Sequence, residues 1–176
     1  MDATAVTPVV LGLLSQGPRS GYDIKTVVDR STRFFWAASY GQIYPELKRL
    51  EQDGLVAGED RPRGGRGRRV YKLTEAGRQA LVEWLLGTTT TVELRDESLL
   101  RLFFADNLPR KDALLLLEGR KLGHETYLEL LRAIDARPGK DTDFVDLVLR
   151  WGIDFHEWGA RWCDEQLKLL RSRKAA

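Results

Sequence analysis

Between positions 61 and 72 stand six basic residues, Arg61, Arg63, Arg66, Arg68, Arg69 and Lys72, with no acid among them and with glycines at 64, 65 and 67. Guanidinium groups along a glycine-rich turn can pair with phosphates or enter a narrow minor groove, and the glycines let the backbone lie close to a polyanion. The same stretch could also be a solvated hairpin or a short RNA-binding segment, although its brevity and the strand patterns flanking it weigh against the latter. Other chemistry is sparse. One cysteine, Cys163, excludes an intrachain disulfide, and with only His124 and His156 beside it the chain has few ligands for a structural zinc. His156 and Cys163 are seven residues apart on one expected helix, roughly 10 Å of rise, too far to share a metal alone. There is no phosphate-cradling glycine loop between strand and helix, no His-Glu-x-x-His and no Gly-x-Ser-x-Gly. The reading is a chain that is not an enzyme and uses no metal or cofactor.

The elements that must position the basic stretch come from 176 residues, 43% hydrophobic and 31% charged, enough for one or two small domains with real cores. The longest aliphatic runs, residues 113–117 and 9–11, fall far short of the roughly 20 needed to span a bilayer. Met1-Asp2-Ala3-Thr4 carries an acid where a secretion leader carries bases, so no membrane association and a cytoplasmic location are expected. The net charge of +2 is unevenly placed: residues 1–86 hold 13 Lys/Arg against 10 Asp/Glu, residues 87–176 hold 15 against 16. The basic half is the first half.

Residues 4–15 read as an apolar helix ended by Gln16-Gly17-Pro18, and residues 20–31 as a second, with Tyr22, Ile24, Val27 and Val28 on its apolar side. Ser39-Tyr40-Gly41-Gln42 fits a capping box opening a third helix, whose stripe Ile43, Leu47 and Leu50 ends before Asp53-Gly54. Pro45 leaves two solutions, an irregular first turn or a regular helix that begins at Pro45. A two-stranded ribbon follows, residues 55–58 and 69–73 with a long basic tip, and Thr74 caps a fourth helix. Gly87 and the threonines at 88–91 break the pattern, giving domains at 1–87 and 88–176. The second domain is expected to be all helix, over residues 96–107, from Pro109 to about 137, and over 141–173.

Three helices followed by a β-ribbon with an arginine-rich tip form a winged helix-turn-helix, which presents one helix to the major groove and a loop to the flanking backbone. The fold class is therefore mainly α with a small β-ribbon, an N-terminal winged helix-turn-helix joined to a C-terminal α-helical dimerisation domain. With Ile43, Leu47 and Leu50 inward, the third helix turns Gly41, Pro45, Lys48 and Gln52 outward, flanked by Gln42, Tyr44 and Arg49. Such a face can donate to phosphates and base edges, but many exposed helix faces look alike. On the last helix Phe144, Val148, Trp151, Phe155, Trp158, Trp162 and Leu169 form a seam at spacings of 4, 3, 4, 3, 4 and 7. Five aromatics along one seam exceed what one neighbouring helix covers, so it is read as a dimer interface, with an intramolecular core as the alternative.

Residues 17–24 (GPRSGYDI), 41–56 (GQIYPELKRLEQDGLV) and 68–77 (RRVYKLTEAG) resemble, in order, the three motifs of PadR family transcriptional regulators, and the helical remainder resembles the longer subfamily with a C-terminal dimerisation domain. The resemblance implies a homodimeric repressor of a partly palindromic double-stranded DNA operator, released by a small molecule or another signal; a small aromatic or hydrophobic effector is the candidate. It implies DNA contacts at Ser39, Gln42, Tyr44 and Lys48 on the third helix and at Arg63, Arg66, Arg68 and Arg69 on the wing, to which the helical-wheel reading adds Arg49. Tyr22 is either a backbone contact or a packing tyrosine. Trp151 and His156 are the candidate effector contacts, stacking and hydrogen-bonding a planar molecule, against a plain core-packing role. The rival reading is a winged-helix protein-interaction module working through the aromatic C-terminal helix without DNA.

Overall fold

A computed structural model of the chain describes residues 5–61, 68–88, 96–135 and 143–173. The chain divides into two compact units, Met1–Thr91 and Val92–Ala176.

The first unit runs α1 (Thr7–Ser15), β1 (Arg19–Ser20), α2 (Gly21–Val28), a 3₁₀ turn (Thr32–Phe34), α3 (Tyr40–Gln52), β2 (Val56–Arg61), β3 (Arg68–Leu73) and α4 (Glu75–Leu86). The second helix is shorter than expected, ending at Val28. The expected two-stranded ribbon is a three-stranded antiparallel sheet ordered β1-β3-β2, in which Arg19 pairs with Tyr71 and Val56 with Leu73. Two residues show no alternation, so β1 was not legible in the sequence; it exists because β3 offers it an edge. Helix α3 runs unbroken through Pro45, a third outcome beside the two expected. The proline cannot donate to the carbonyl at Gly41, which lies on the exposed face, where water can take the place of that bond.

The start of α3 is fixed by Gln42, whose Oε1 accepts from the Ser39 amide (2.9 Å) and hydroxyl (3.0 Å), while the Gln42 amide donates to the Ser39 carbonyl (3.1 Å). Its end is a Schellman turn: Gly54 takes φ +71°, and the amides of Leu55 and Gly54 donate to the carbonyls of Leu50 and Glu51. Ile43, Leu47 and Leu50 are fully buried against Val10, Leu11, Ile24 and Val28. Thr74 ties α4 down, its hydroxyl bonding the carbonyls of Gly54 and Leu55 and accepting from the Gly77 amide. A Cβ on Gly77 would stand 2.0 Å from the Leu55 carbonyl oxygen, so only glycine allows this approach.

The second unit holds α5 (Glu97–Phe103), a 3₁₀ turn (Ala105–Asn107), α6 (Arg110–Asp135) and α7 (Asp143–Ser172). The single helix expected over 96–107 is thus interrupted after Phe103. Pro109 precedes the first regular turn of α6 and accepts at its carbonyl from the amides of Asp112 and Ala113. Helices α6 and α7 pack antiparallel, as the pairs Arg110–Leu170, Lys121–Asp164 and Arg132–Glu157 require. The face of α7 turned to α6 is lined by Gly152, His156, Gly159, Cys163, Leu167 and Leu170, and its core with Leu117 is narrow. The His124 ring lies where a Gly159 side chain would begin, and Leu131 presses on Gly152. Cys163 is fully buried and unpaired, and burial pushes its thiol pKa up.

Candidate nucleic-acid interface

The outward face of α3 carries Gly41, Gln42, Tyr44, Pro45, Lys48 and Gln52, all exposed, with Ser39 and Tyr40 exposed at its start. Tyr40 and Tyr44 stack at 6.1 Å, and the Lys25 ammonium lies 5.4 Å over the Tyr40 ring. The Tyr44 ring rests on Gly21, where a Cβ would come within 2.8 Å of it. The glycine of one motif is therefore the seat for the tyrosine of the next. Tyr22 stands beside this seat with 61% of its surface exposed. Tyr22, Ser39, Gln42 and Tyr44 thus come to the surface at the paired starts of α2 and α3, with Lys48 exposed one turn further along α3. Tyr40 joins them although the sequence reading gave it no such place, its stacking being a one-turn i, i+4 relation, while Lys25 below it is largely buried and paired with Asp29.

The arginines divide differently. Arg49 was expected to face DNA, but its guanidinium bonds Glu46 (2.7 and 3.1 Å), Asp53 (2.8 Å) and the Thr7 hydroxyl (3.2 Å). Glu46, only 4% exposed, also accepts from Thr7 Oγ1 at 2.5 Å, so this cluster ties α3 to the start of α1. A carboxylate at that depth draws the neighbouring cation inward. Arg69 bonds Glu51 (2.6 Å) and Asp60 (2.9 Å), and Glu51 also accepts from the Gly58 amide (2.9 Å). Its hydrogen bond to Arg69 holds the Glu51 carboxyl below the ordinary range, and the two carboxylates raise Arg69 further. Arg68 pairs with Asp23, which closes the capping box of α2 with Ser20. Burial pushes the Asp23 carboxyl up, but the bonds from Ser20 and Arg68 outweigh it and leave it lowered. Arg49, Arg68 and Arg69 are thus each held in ion pairs that tie the wing and α1 to the helices. Arg63 and Arg66 lie outside the described residues.

In the second unit the seam residues face outward: Phe144 is 81% exposed, Trp151 63% and Trp158 53%, with Val148, Phe155 and Leu169 also exposed and Trp162 half-buried. Helix α7 thus carries one stripe packed on α6, with glycines at 152 and 159, and one aromatic stripe left largely exposed, of which Phe155 meets the His124 ring edge-on and Trp162 packs beside Leu117 and Cys163. His156 does not stack in that stripe. It meets His124 with their Nδ1 atoms 3.0 Å apart and lies over Tyr127, while Trp151 stacks on Phe155 at 5.4 Å. Burial lowers the pKa of both histidines.

The family model described as Transcriptional regulator PadR-like family matches residues 10–83, and that described as Virulence activator alpha C-term matches residues 94–171. The chain belongs to the PadR-like family of transcriptional regulators. The negative transcriptional regulator PadR of Bacillus subtilis (strain 168) is 37% identical over 106 residues, a stretch spanning 59% of this chain and 58% of that relative. The crystal structure of Bacillus subtilis PadR in complex with operator DNA superposes with a TM-score of 0.85 at 29% identity, covering 95% of this chain and 99% of that one. The same regulator in complex with p-coumaric acid gives a TM-score of 0.78 at 28% identity, over 96% and 100% of the two chains. The PadR-like winged helix accordingly accounts for the layout of α2, α3 and the β2–β3 ribbon, and the helical remainder is part of the same architecture.

Proposed function

We propose that this chain is a homodimeric transcriptional repressor that binds a partly palindromic DNA operator and is released from it by a small aromatic or hydrophobic molecule. The observation that carries this is the open tyrosine- and lysine-bearing face of α3, on a chain that aligns nearly end to end with a relative held on operator DNA. In this reading residues 1–87 bind DNA through Tyr22, Ser39, Gln42, Tyr44 and Lys48 with the wing residues Arg63 and Arg66. Residues 88–176 dimerise through Phe144, Val148, Trp151, Phe155, Trp158, Trp162 and Leu169, because a largely exposed stripe of this size is a protein-interaction surface. Two copies would then offer α3 to successive major-groove faces, roughly 34–36 Å apart for half-sites one turn apart. The relative with p-coumaric acid supports effector release. The reading includes no catalysis and places the protein in the cytoplasm; among the described residues no helix is long and apolar enough to cross a membrane. The operator complex of the relative weighs against an interaction module that ignores DNA.

Selection from a random duplex library, followed by titration of the winner between about 50 and 200 mM salt, tests this, since several phosphate contacts make affinity fall steeply over that range. A palindromic winner with a steep salt slope is the expected result. No enrichment from folded, ligand-free protein would overturn it. Replacing Arg63 and Arg66 by alanine is expected to lower the log–log slope by about two, one for each lost phosphate contact. Arg68→Ala is expected to act on stability through Asp23 instead.

A further inference from the structure

One carboxylate of α3 reaches both strands of the β2–β3 ribbon. Glu51, in the last turn of the helix, accepts at Oε1 from the Gly58 amide on β2 (2.9 Å) and from Arg69 Nη2 on β3 (2.6 Å), and at Oε2 from Arg69 Nε (3.4 Å). The remaining arm of the same guanidinium, Nη1, donates to Asp60 (2.9 Å), the residue opposite Arg69 across the ribbon. The planar fork of an arginine thus holds two acids in two fixed directions, which a lysine ammonium cannot do. The guanidinium carbon also lies 5.9 Å from the centre of the Tyr71 ring, which belongs to the buried core. Consecutive strand residues point to opposite faces, so Arg68 leaves the other side of β3 and pairs with Asp23 on α2. Both helices of the helix-turn-helix therefore grip the ribbon, next to its last described rung, Arg61 opposite Arg68.

Gly58 is the seat of this arrangement. Its backbone is not left-handed, and inside a strand glycine weakens pairing, so it calls for another reason. That reason is space: a Cβ there would stand 2.4 Å from Glu51 Oε1 and 2.6 Å from Arg69 Nε. Both atoms end flexible side chains, so a methyl group would push the pair aside, whereas at Gly77 it would meet a backbone carbonyl. A weak strand residue is kept where an ion pair lies flat on the ribbon. Stability accounts poorly for that pair. The side chains of Glu51 and Arg69 are 28% and 40% exposed, and exposed ion pairs contribute little to folding. What a three-way contact between α3, β2 and β3 does supply is a fixed angle between helix and ribbon.

We infer that Glu51 is a positioning residue for DNA binding: acting through Gly58 and Arg69, it locks the wing to α3, so that the wing meets the flanking backbone while α3 lies in the major groove. The inference rests on the wing contact proposed above and adds the acid on which that contact depends. An acid close to a phosphate backbone weakens binding by repulsion, so a carboxylate at the root of the wing needs a compensating role. Holding the ribbon in register with α3 is that role. Glu51 itself touches the ribbon and not the DNA.

The test uses the full-length protein and two duplexes cut from the sequence won in the library selection, one with its flanking base pairs and one trimmed to the two major-groove half-sites. Affinity is read by fluorescence anisotropy at one salt concentration. The parent is expected to bind the flanked duplex at least tenfold more tightly, and Arg63→Ala with Arg66→Ala to remove that advantage. Gly58→Ala displaces the ion pair without changing charge. It and Glu51→Ala are each expected to weaken the flanked duplex at least fivefold and the trimmed one less than twofold, with melting temperatures close to the parent's. Glu51→Gln, which keeps an acceptor for the Gly58 amide, is expected to fall between. Added to the two wing-arginine changes, Glu51→Ala should weaken binding no further, because it acts through them. Loss of an acid by itself tightens binding to a polyanion, so the sign of the effect separates positioning from plain electrostatics. If Glu51→Ala tightens the flanked duplex, leaves it unchanged or weakens both duplexes equally, the inference is overturned and the wing contact still stands. A further loss on the wing-arginine background overturns it in the same way. If the parent gains nothing from the flanks, or the arginine variant keeps the gain, the wing contact itself fails and the inference falls with it.

Discussion

The two units bury their apolar residues to very different extents. In the first, α1 to α4 and the sheet enclose one continuous core from Val6 through Leu11, Ile43 and Leu50 to Tyr71 and Leu81. In the second, the core about Leu117, Cys163 and Leu167 is thin, while Phe103, Phe144, Trp151 and Trp158 are each at least half exposed. The first unit covers its core with its own chain, although Val82, Leu85 and Leu86 on α4 stay exposed beside the polar and aromatic groups of its surface. The other leaves large apolar area exposed along α7. Helix α7 has one glycine-bearing stripe and one aromatic stripe; α6 covers the first and, of the second, meets Phe155 and Trp162.

That contrast can be broken most severely at the aromatic stripe. Trp151→Glu with Trp158→Glu is expected to weaken self-association by roughly 100-fold or more, as for central aromatic hot spots, with the helical content of the monomer retained. Sedimentation velocity with circular dichroism reads both, and a dimer that survives the double change would move the interface elsewhere. In the closed unit the comparable lesion is internal. Gly77→Ala sets a Cβ against the Leu55 carbonyl and is expected to cost about 1–3 kcal/mol in chemical denaturation, confined to the first unit. Equal stability in parent and variant would mean that α4 can shift at no cost.

Acid should separate the units more gently. Both histidines of the chain lie in the second unit, and burial lowers their pKa below the ordinary 6.5. The unfolded chain therefore binds protons that the folded unit refuses. This contribution to stability is complete above about pH 6.5 and is lost as pH falls from there through the folded-state values. The groups facing the pair, Arg120, Asp96, Tyr127 and Phe155, do not reverse the sign: burial pushes the Asp96 carboxyl up, but Ser98, Arg120 and the Leu99 amide hold it at about 2. The first unit has no histidine, and Asp23 and Glu51, lowered from 3.8 and 4.5, hold their contribution until the carboxylates protonate. Melting curves between pH 7 and 5 should show the second unit losing stability first, and His124→Phe should shrink the difference, leaving the part that burial of His156 contributes. The smallest effect belongs to exposed Lys48: alanine there is expected to lower the operator salt slope by about one without moving the melting temperature.

Much of this was legible along the chain. The apolar stripe of α3, the glycine at 54 and the basic ribbon are local patterns, and local patterns fix helices, turns and strands wherever their period is long enough to read. Strand β1 was not legible because two residues have no period. The ion pairs of three arginines were not legible for a related reason, since the sequence reports the charge of Arg49, Arg68 and Arg69 but not which carboxylate each one meets. Glu46, Asp23 and Glu51 are three, forty-five and eighteen residues from their partners, and only folding brings the two distant pairs together.

The sequence by itself determined the order of the elements, the basic character of the first half and the aromatic repeat on the last helix, because each is carried by neighbours within a few turns. Tertiary structure alone decided which cations are held in ion pairs and which face solvent, and which of two stripes on α7 packs along α6. It also decided that the chain's two histidines, thirty-two residues apart, meet ring to ring. Those outcomes depend on distances between elements, and such distances are set by how whole faces pack and by glycines, such as Gly21, Gly77 and Gly159, that let a ring or a backbone come close.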